Sequence, residues 1–207
     1  MTEKEKMDAG MLYLSGNEEI MEEQTARLEL LYDYNATRPH EGEKRAELLK
    51  KMLGKVGEGC YIEPPFYSNW SGKHVFFGNN VYANFSLTLV DDSNIFVGDN
   101  VMFGPNVTVA TAGHPIAPEY RKQGYQYNAD VRIGNNVWIG AGAVIMPGVS
   151  IGDDSVIGGG SVVTRNIPSG VVAVGNPCRV LREIGERDRE FYFRDRRFDE
   201  AGPSSDE

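Results

Sequence analysis

Histidine, cysteine and positive charge are all in short supply in this chain. Its 207 residues include two cysteines and three histidines. Cys60 and Cys178 lie far apart and outside any CxxC spacing, which excludes a disulfide framework; they leave room for one bridge at most and read as reduced, structural thiols. Lysine and arginine total 21 against 30 acidic residues, a formal net charge of -9. That balance argues against nucleic acid or an anionic membrane as a general partner, so an anionic ligand has to find a local basic patch. Long apolar runs are missing as well. Nothing approaches the roughly 18 residues of a membrane span, and the opening MTEKEKMDAG has no apolar h-region. The expectation is a single soluble, cytoplasmic domain.

What the chain has in abundance is a six-residue beat, from Val75 to Val180. Val137, Ala143, Val149, Ser155, Ser161 and Ile167 mark one position, and Ile139, Ile145, Ile151, Ile157 and Val163 mark the position two residues on. Upstream, VFFGNN, IFVGDN and VRIGNN keep the beat, with a slip of two residues between Leu87 and Ile95. A period of six held over this length is not a helical stripe. β-Branched residues beside glycine and asparagine predict short strands with corners at fixed intervals. With one strand and one corner per unit, three units make a triangular coil of a parallel β-helix whose inward aliphatics stack coil on coil. These valines and isoleucines are core residues and carry no chemistry.

The flanks read differently. Thr2 with Glu5 fits a capping box, and Asn17 before Glu18 and Glu19 marks a second helix start. Met21, Leu28, Leu31 and Tyr32 recur at helical spacing, as do Ala46, Leu49 and Leu53 after the turn at Arg38-Pro39. Beyond the repeat, Leu181, Ile184 and Phe191 fit a helical face. The predicted division is a helical segment at 1–55 packed on the coils and a β-helix at 56–182 with an extruded loop at 113–130. A C-terminal helix at 183–198 and a disordered tail at 199–207 complete it.

The beat fails once, at VTVATAGHPIAPEY. Between Gly113 and Asp130 the inward aliphatics give way to His114, Pro115, Pro118, Arg121 and Lys122. Proline and charge do not suit a coil interior, so this segment is expected outside the prism, where loops on rigid scaffolds carry function. Histidine is half neutral near pH 6.5 and accepts a proton at neutral pH, but a lone histidine fits a surface turn as well as a catalytic base.

The hexapeptide run, the TAGHPI break, IGNNVWIGAGAVIMPGVSIG, VIGGGSVVTRNIP and VAVGNPCRVLREI together resemble the sugar O-acetyltransferases of the left-handed β-helix acyltransferase superfamily, galactoside and maltose type. The resemblance runs from Thr2 to Phe193. It implies a mainly β fold, a left-handed parallel β-helix of hexapeptide repeats with N-terminal helices, an extruded loop and a C-terminal helix. It also implies a homotrimer with active sites between subunits, acetyl-CoA as co-substrate, no catalytic metal and a sugar hydroxyl as acceptor. The handedness comes from the family, since isolated crossovers favour the opposite hand.

By the same resemblance His114 is the general base, and the acceptor attacks the thioester directly without an acyl-enzyme. An oxyanion donor is expected at Ala141, where the family has serine. Asn84 and Asp92 match positions that bind the acceptor, with Asn84 also near the thioester. Asn69 stands where the family carries serine, and Ser15 where it carries an aspartate; Asn17 stands where the maltose enzymes have an acid. Trp138, Ala141, Gly159, Thr164, Arg165, Arg179 and Arg182 match positions along the donor cleft, the arginines facing phosphate. Without the resemblance, Asn84 and Asp92 read equally as corner residues and the arginines as a solvated face.

Other readings share the scaffold. A γ-type carbonic anhydrase needs three histidine ligands, and His40 lies in the helical region away from His74 and His114. Acetyltransferases for chitooligosaccharides, antibiotics or serine, lipid-A-type acyltransferases and a non-catalytic hexapeptide binding protein remain as alternatives.

Overall fold

The computed structural model describes residues 1–198. Helix α1 (Glu3–Asp8) begins at the expected capping box, with the Glu5 N–H on Thr2 Oγ1 at 3.1 Å and the Thr2 N–H on Glu5 Oε2 at 2.7 Å. Helix α2 (Glu18–Asn35) starts after Asn17, whose side chain makes no capping bond, and helix α3 covers Gly42–Met52. The buried face of α2 is Ile20, Leu31 and Tyr34, while the expected Met21 and Tyr32 face solvent. On α3, Leu49 is buried and Ala46 exposed, and a charged residue, Arg45, takes an inward place. Arg45 donates to Thr37 Oγ1 at 2.8 Å and to the Tyr61 hydroxyl. Tyr34 donates to the Ile62 carbonyl at 2.5 Å. The expected Leu31, Leu49 and Leu53 are buried, and the inward faces also take up polar anchors that apolar spacing alone does not mark.

From Tyr61 the chain winds into a triangular prism. Its first face stacks strands 61–62, 82–83, 102–103, 138–139, 156–157 and 171–174. The second stacks 67–68, 88–90, 108–110, 144–145 and 162–163, and the third 75–77, 95–97, 131–133 and 150–151. All these neighbours pair in parallel and in register, so that Ala83, Phe103, Ile139, Ile157 and Ala173 form one inward column. Burying each large aliphatic contributes about 1.5–3 kcal/mol, and repetition along the columns makes the prism one continuous core. Helices α2 and α3 close its lower end, where Leu31, Tyr34, Leu49 and Met52 join that core.

One corner column explains the Asn and Asp that follow each glycine. Asn80, Asn100, Asn136 and Asp154 all take positive φ, a conformation these side chains tolerate. They also bond upward, Asn80 Nδ2 to Asn100 Oδ1 at 3.2 Å and Asn136 Nδ2 to Asp154 Oδ1 at 2.9 Å. The two-residue slip has a physical cause too. After strand 88–90 the chain turns Asp91 inward, fully buried, where its Oδ1 accepts from Ser68 Oγ at 2.6 Å and from the Trp70 N–H at 2.9 Å.

The extruded segment is an ordered hairpin. Ala112–Gly113 pairs antiparallel with Tyr125–Asn128, a short helix at Pro118–Arg121 bridges them, and Tyr13–Leu14 from the N-terminal region pairs on the other side of Tyr125–Asn128. The C-terminal expectation needs correction. Residues 183–198 do not form one helix: strand Arg179–Glu183 runs antiparallel to 171–174, the helix is only Glu186–Glu190, and 191–193 pairs with 196–197. The open edge of the first face offers backbone pairing that outweighs a weak helical stripe, and Gly185 stops the strand. The predicted tail, 199–207, lies outside the described residues.

Candidate active site

The His114 ring leaves the end of strand Ala112–Gly113 and is exposed. Its Nδ1 lies 2.8 Å from the Tyr125 carbonyl oxygen. A carbonyl can only accept, so Nδ1 carries the proton and Nε2 keeps its lone pair free, the tautomer a general base needs. Nε2 has no hydrogen-bond partner among the described residues. His74, by contrast, is tied at Nδ1 to the Asp91 carbonyl at 2.6 Å and lies against the Trp70 ring.

The hairpin leaves the corner between the second and third faces, and three acceptor candidates share that corner. Asn69 follows strand 67–68, Asp92 follows strand 88–90, and Ser15 follows the strand that pairs with the hairpin. Asn69 Nδ2 donates to Asp92 Oδ2 at 2.8 Å, and Trp70 Nε1 reaches Asp92 Oδ1 at 3.4 Å. Ser15 Oγ donates to the Gly124 carbonyl at 3.3 Å, and the Asn17 Oδ1 is buried without a partner among the described residues. Thr164 and Arg165 follow strand 162–163 at the same corner, exposed, and Arg165 makes no ion pair among the described residues.

Asn84, Ala141 and Gly159 stand elsewhere, at the corner between the first and second faces. The Asn84 Oδ1 accepts from the Phe85 N–H at 2.8 Å, which leaves Nδ2 as an uncommitted donor. The Ala141 N–H meets no backbone acceptor among the described residues, although its carbonyl accepts from Gly160 at 2.8 Å. The Gly159 N–H, one coil away, likewise has no backbone acceptor among the described residues. This column therefore presents unpaired donors on a rigid edge, the arrangement that stabilises a developing oxyanion. Trp138 lies on the outer side of the first face, 51% exposed, in register with Met102 and Val156.

The arginines differ from one another. Arg179 donates to the Cys178 carbonyl at 2.7 Å. Arg182, expected to face phosphate, forms a two-pronged pair with Asp188 at 2.6 and 2.7 Å. That guanidinium holds the Asp188 carboxyl down at about 2. Burial pushes Asp91 upward, only partly offset by its bonds to Ser68 and Trp70, and raises the Tyr13 phenol to about 12.

Residues 6–57 match the maltose acetyltransferase hexapeptide capping motif, and residues 130–165 the bacterial transferase hexapeptide of six repeats. Galactoside O-acetyltransferase from Lactococcus lactis subsp. lactis is 52% identical over 188 residues, 91% of each chain. A galactoside acetyltransferase solved in complex with coenzyme A superposes with a TM-score of 0.91 at 48% identity, over 95% of this chain and 98% of its own. A maltose O-acetyltransferase from Clostridium difficile superposes at 0.87 with 44% identity, over 90% and 99%. The chain belongs to the galactoside/maltose O-acetyltransferase family.

Within this family frame the structure adds residues that sequence reasoning passed over. Trp70 and Asp91 tie together the corner that holds Asn69 and Asp92, and Tyr13, Gln126 and Asn128 make a buried polar cluster beside it. The adjacent pair Asp91-Asp92 at the slip in the repeat was the one signal in the sequence that pointed there.

Proposed function

We propose that this protein transfers the acetyl group of acetyl-CoA to a hydroxyl of a sugar or glycoside. The observation that carries the reading is the His114 imidazole, locked at Nδ1 with Nε2 free. His114 Nε2 takes the proton of the attacking hydroxyl as the new C–O bond forms on the thioester carbon. The Ala141 N–H holds the developing oxyanion, and the Asn84 amide, two rungs away along the same corner, is a further donor. The tetrahedral species then expels the thiolate, which takes up the proton. Asp92 and Asn69 position the acceptor through directional bonds to vicinal hydroxyls. Gly159 and Trp138 line the path of the pantetheine arm, and Thr164, Arg165, Arg179 and Arg182 meet the phosphate-bearing end, supplying the positive charge that an acidic chain otherwise lacks.

The candidates stand on two corners of the prism, separated by a face whose strands of two or three residues span about 10 Å. A site that uses both sets is therefore completed between copies, which supports a homotrimer. The outward apolar column of Tyr82, Met102 and Trp138 gives such an assembly a surface to bury. Acetyl-CoA as donor also implies a cytoplasmic enzyme. With Ser15 and Asn17 in place of carboxylates, the acceptor is expected to differ from that of relatives carrying an acid there.

The test is release of free thiol from acetyl-CoA across a panel of sugars and glycosides. Acceptor-dependent release that falls by roughly 10²–10⁴ in His114→Ala supports the reading. Release that survives His114→Ala, or no release with any acceptor, sinks it.

A further inference from the structure

Three polar side chains are buried together beside the hairpin that carries His114. Tyr13, Gln126 and Asn128 are 1%, 8% and 7% exposed. The Tyr13 hydroxyl accepts from Gln126 Nε2 at 2.5 Å and from Asn128 Nδ2 at 3.2 Å, and donates to Asn128 Oδ1 at 3.4 Å. Asn128 Nδ2 also donates to the Asp92 carbonyl at 3.0 Å. Gln126 Nε2 closes the cluster on Asn128 Oδ1 at 3.2 Å.

The cluster ties three parts of the machinery together: the hairpin, the N-terminal strand and the Asp92 corner. Gln126 and Asn128 lie on strand Tyr125–Asn128, whose first residue supplies the carbonyl that holds His114. Tyr13 lies directly opposite Gln126, and Leu14 opposite Tyr125, on the N-terminal strand. Asp92 is the acceptor carboxylate, and its side chain is held by Trp70, which packs with Tyr13, Met7 and Ile20 in a small core of their own. The imidazole has one hydrogen bond among the described residues, so its direction follows wherever the Tyr125 carbonyl goes. Buried polar networks of this kind specify position strongly when every member is satisfied.

We propose that Tyr13, Gln126 and Asn128 are positioning residues, a buried clamp that sets the His114 base at a fixed place relative to Asp92. The N-terminal strand is then part of the catalytic apparatus and not only a cap on the prism. The proposal rests on His114 being the base.

Tyr13→Phe tests it, because the ring and the core around it are kept while the shared hydroxyl is lost. A misplacement of about 1 Å costs up to about 10²-fold in rate, so kcat is expected to fall about 10-fold. KM for acetyl-CoA stays unchanged, since the hydrogen bonds of the clamp reach none of Trp138, Ala141, Gly159, Thr164 or Arg165. ¹⁵N spectra of the ring nitrogens provide the readout that a purely structural role would not move, with His40 and His74 as internal references. In the wild type His114 gives the single Nδ1-protonated form, and in Tyr13→Phe a mixture of tautomers. Asn128→Ala, which cuts the link to Asp92, behaves in the same direction. Unchanged kcat and an unchanged His114 signal in both variants would overturn the clamp, as would a loss of kcat with the tautomer intact. Should His114→Ala retain activity, the base reading fails instead, and the tautomer experiment still separates the two.

Discussion

Gly140 stands so close to Gly159 that a Cβ at position 140 would lie 2.5 Å from the Gly159 backbone nitrogen and 2.9 Å from the Ile157 oxygen. Both contacts are backbone, so neither can swing away. Gly140→Ala is expected to push the corner apart, lowering stability by about 1–3 kcal/mol and raising KM for acetyl-CoA, because the displaced N–H groups are those of Ala141 and Gly159. Thermal unfolding and donor kinetics on one preparation check both; an unchanged melting temperature would show that the coils can spread freely.

Asp91 is buried with one carboxylate oxygen unpartnered among the described residues, and burial holds its folded pKa above the ordinary carboxylate value. In the window between the unfolded and folded pKa values the native state holds the extra proton. Its contribution is thus full below the unfolded pKa and is lost as pH rises through the folded one. Asp91→Asn keeps Oδ1 for Ser68 and Trp70 and removes the charge. The variant is expected to be more stable than the parent at pH 7, on the order of 1–2 kcal/mol, with the gap closing toward pH 4. Melting curves from pH 4 to 8 would reveal it; a constant gap, or a less stable variant at neutral pH, contradicts the prediction.

Arg182 is engaged by Asp188 in the free chain. If Arg182 serves the donor phosphates, the two anions compete for it. Asp188→Asn is expected to lower KM for acetyl-CoA by about 2- to 5-fold at low ionic strength, the advantage fading toward 1 M salt as screening grows. Equal KM values at all salt concentrations would assign Arg182 to the Asp188 pair alone. The same pair weakens in acid, since Asp188 is held at about 2 and its contribution is lost as pH falls through that value.

His114 and Asn84 occupy different corners of one prism. His114→Ala and Asn84→Ala are each expected to be nearly inactive, and refolding the two together should restore activity, because a site shared between copies draws one intact residue from each. Failure of the mixture, with mixed trimers demonstrated by mass, would place the whole site within one chain.

Much of this was legible in the sequence because repetition makes a weak signal strong. A single VWIGAG says little, whereas the same pattern from Val137 to Val163 dictates strand, corner and inward column together. The helices were harder. Their inward faces include polar anchors such as Arg45 on Tyr61, which an apolar count overlooks. The C-terminal segment was misread because its preference is decided by an edge far away in sequence, that of Val171–Val174. In the candidate site, the position of His114 on a segment outside the prism could be read from the interrupted beat. Tyr13 could not, since its contact with Asn128 crosses 115 positions and no local pattern marks it.

The strand Arg179–Glu183 runs against the direction of every other strand on its face. A solenoid of identical parallel rungs has no intrinsic end: its last rung is a template for the first rung of another molecule, and fibres grow by that rule. A reversed strand with outward-facing charges offers the wrong polarity and repels a like neighbour, so it terminates growth as a cap does on a polymer. A chain cut after Cys178 would bare Val171–Val174, and the enzyme's solubility would then depend on how quickly such edges find each other.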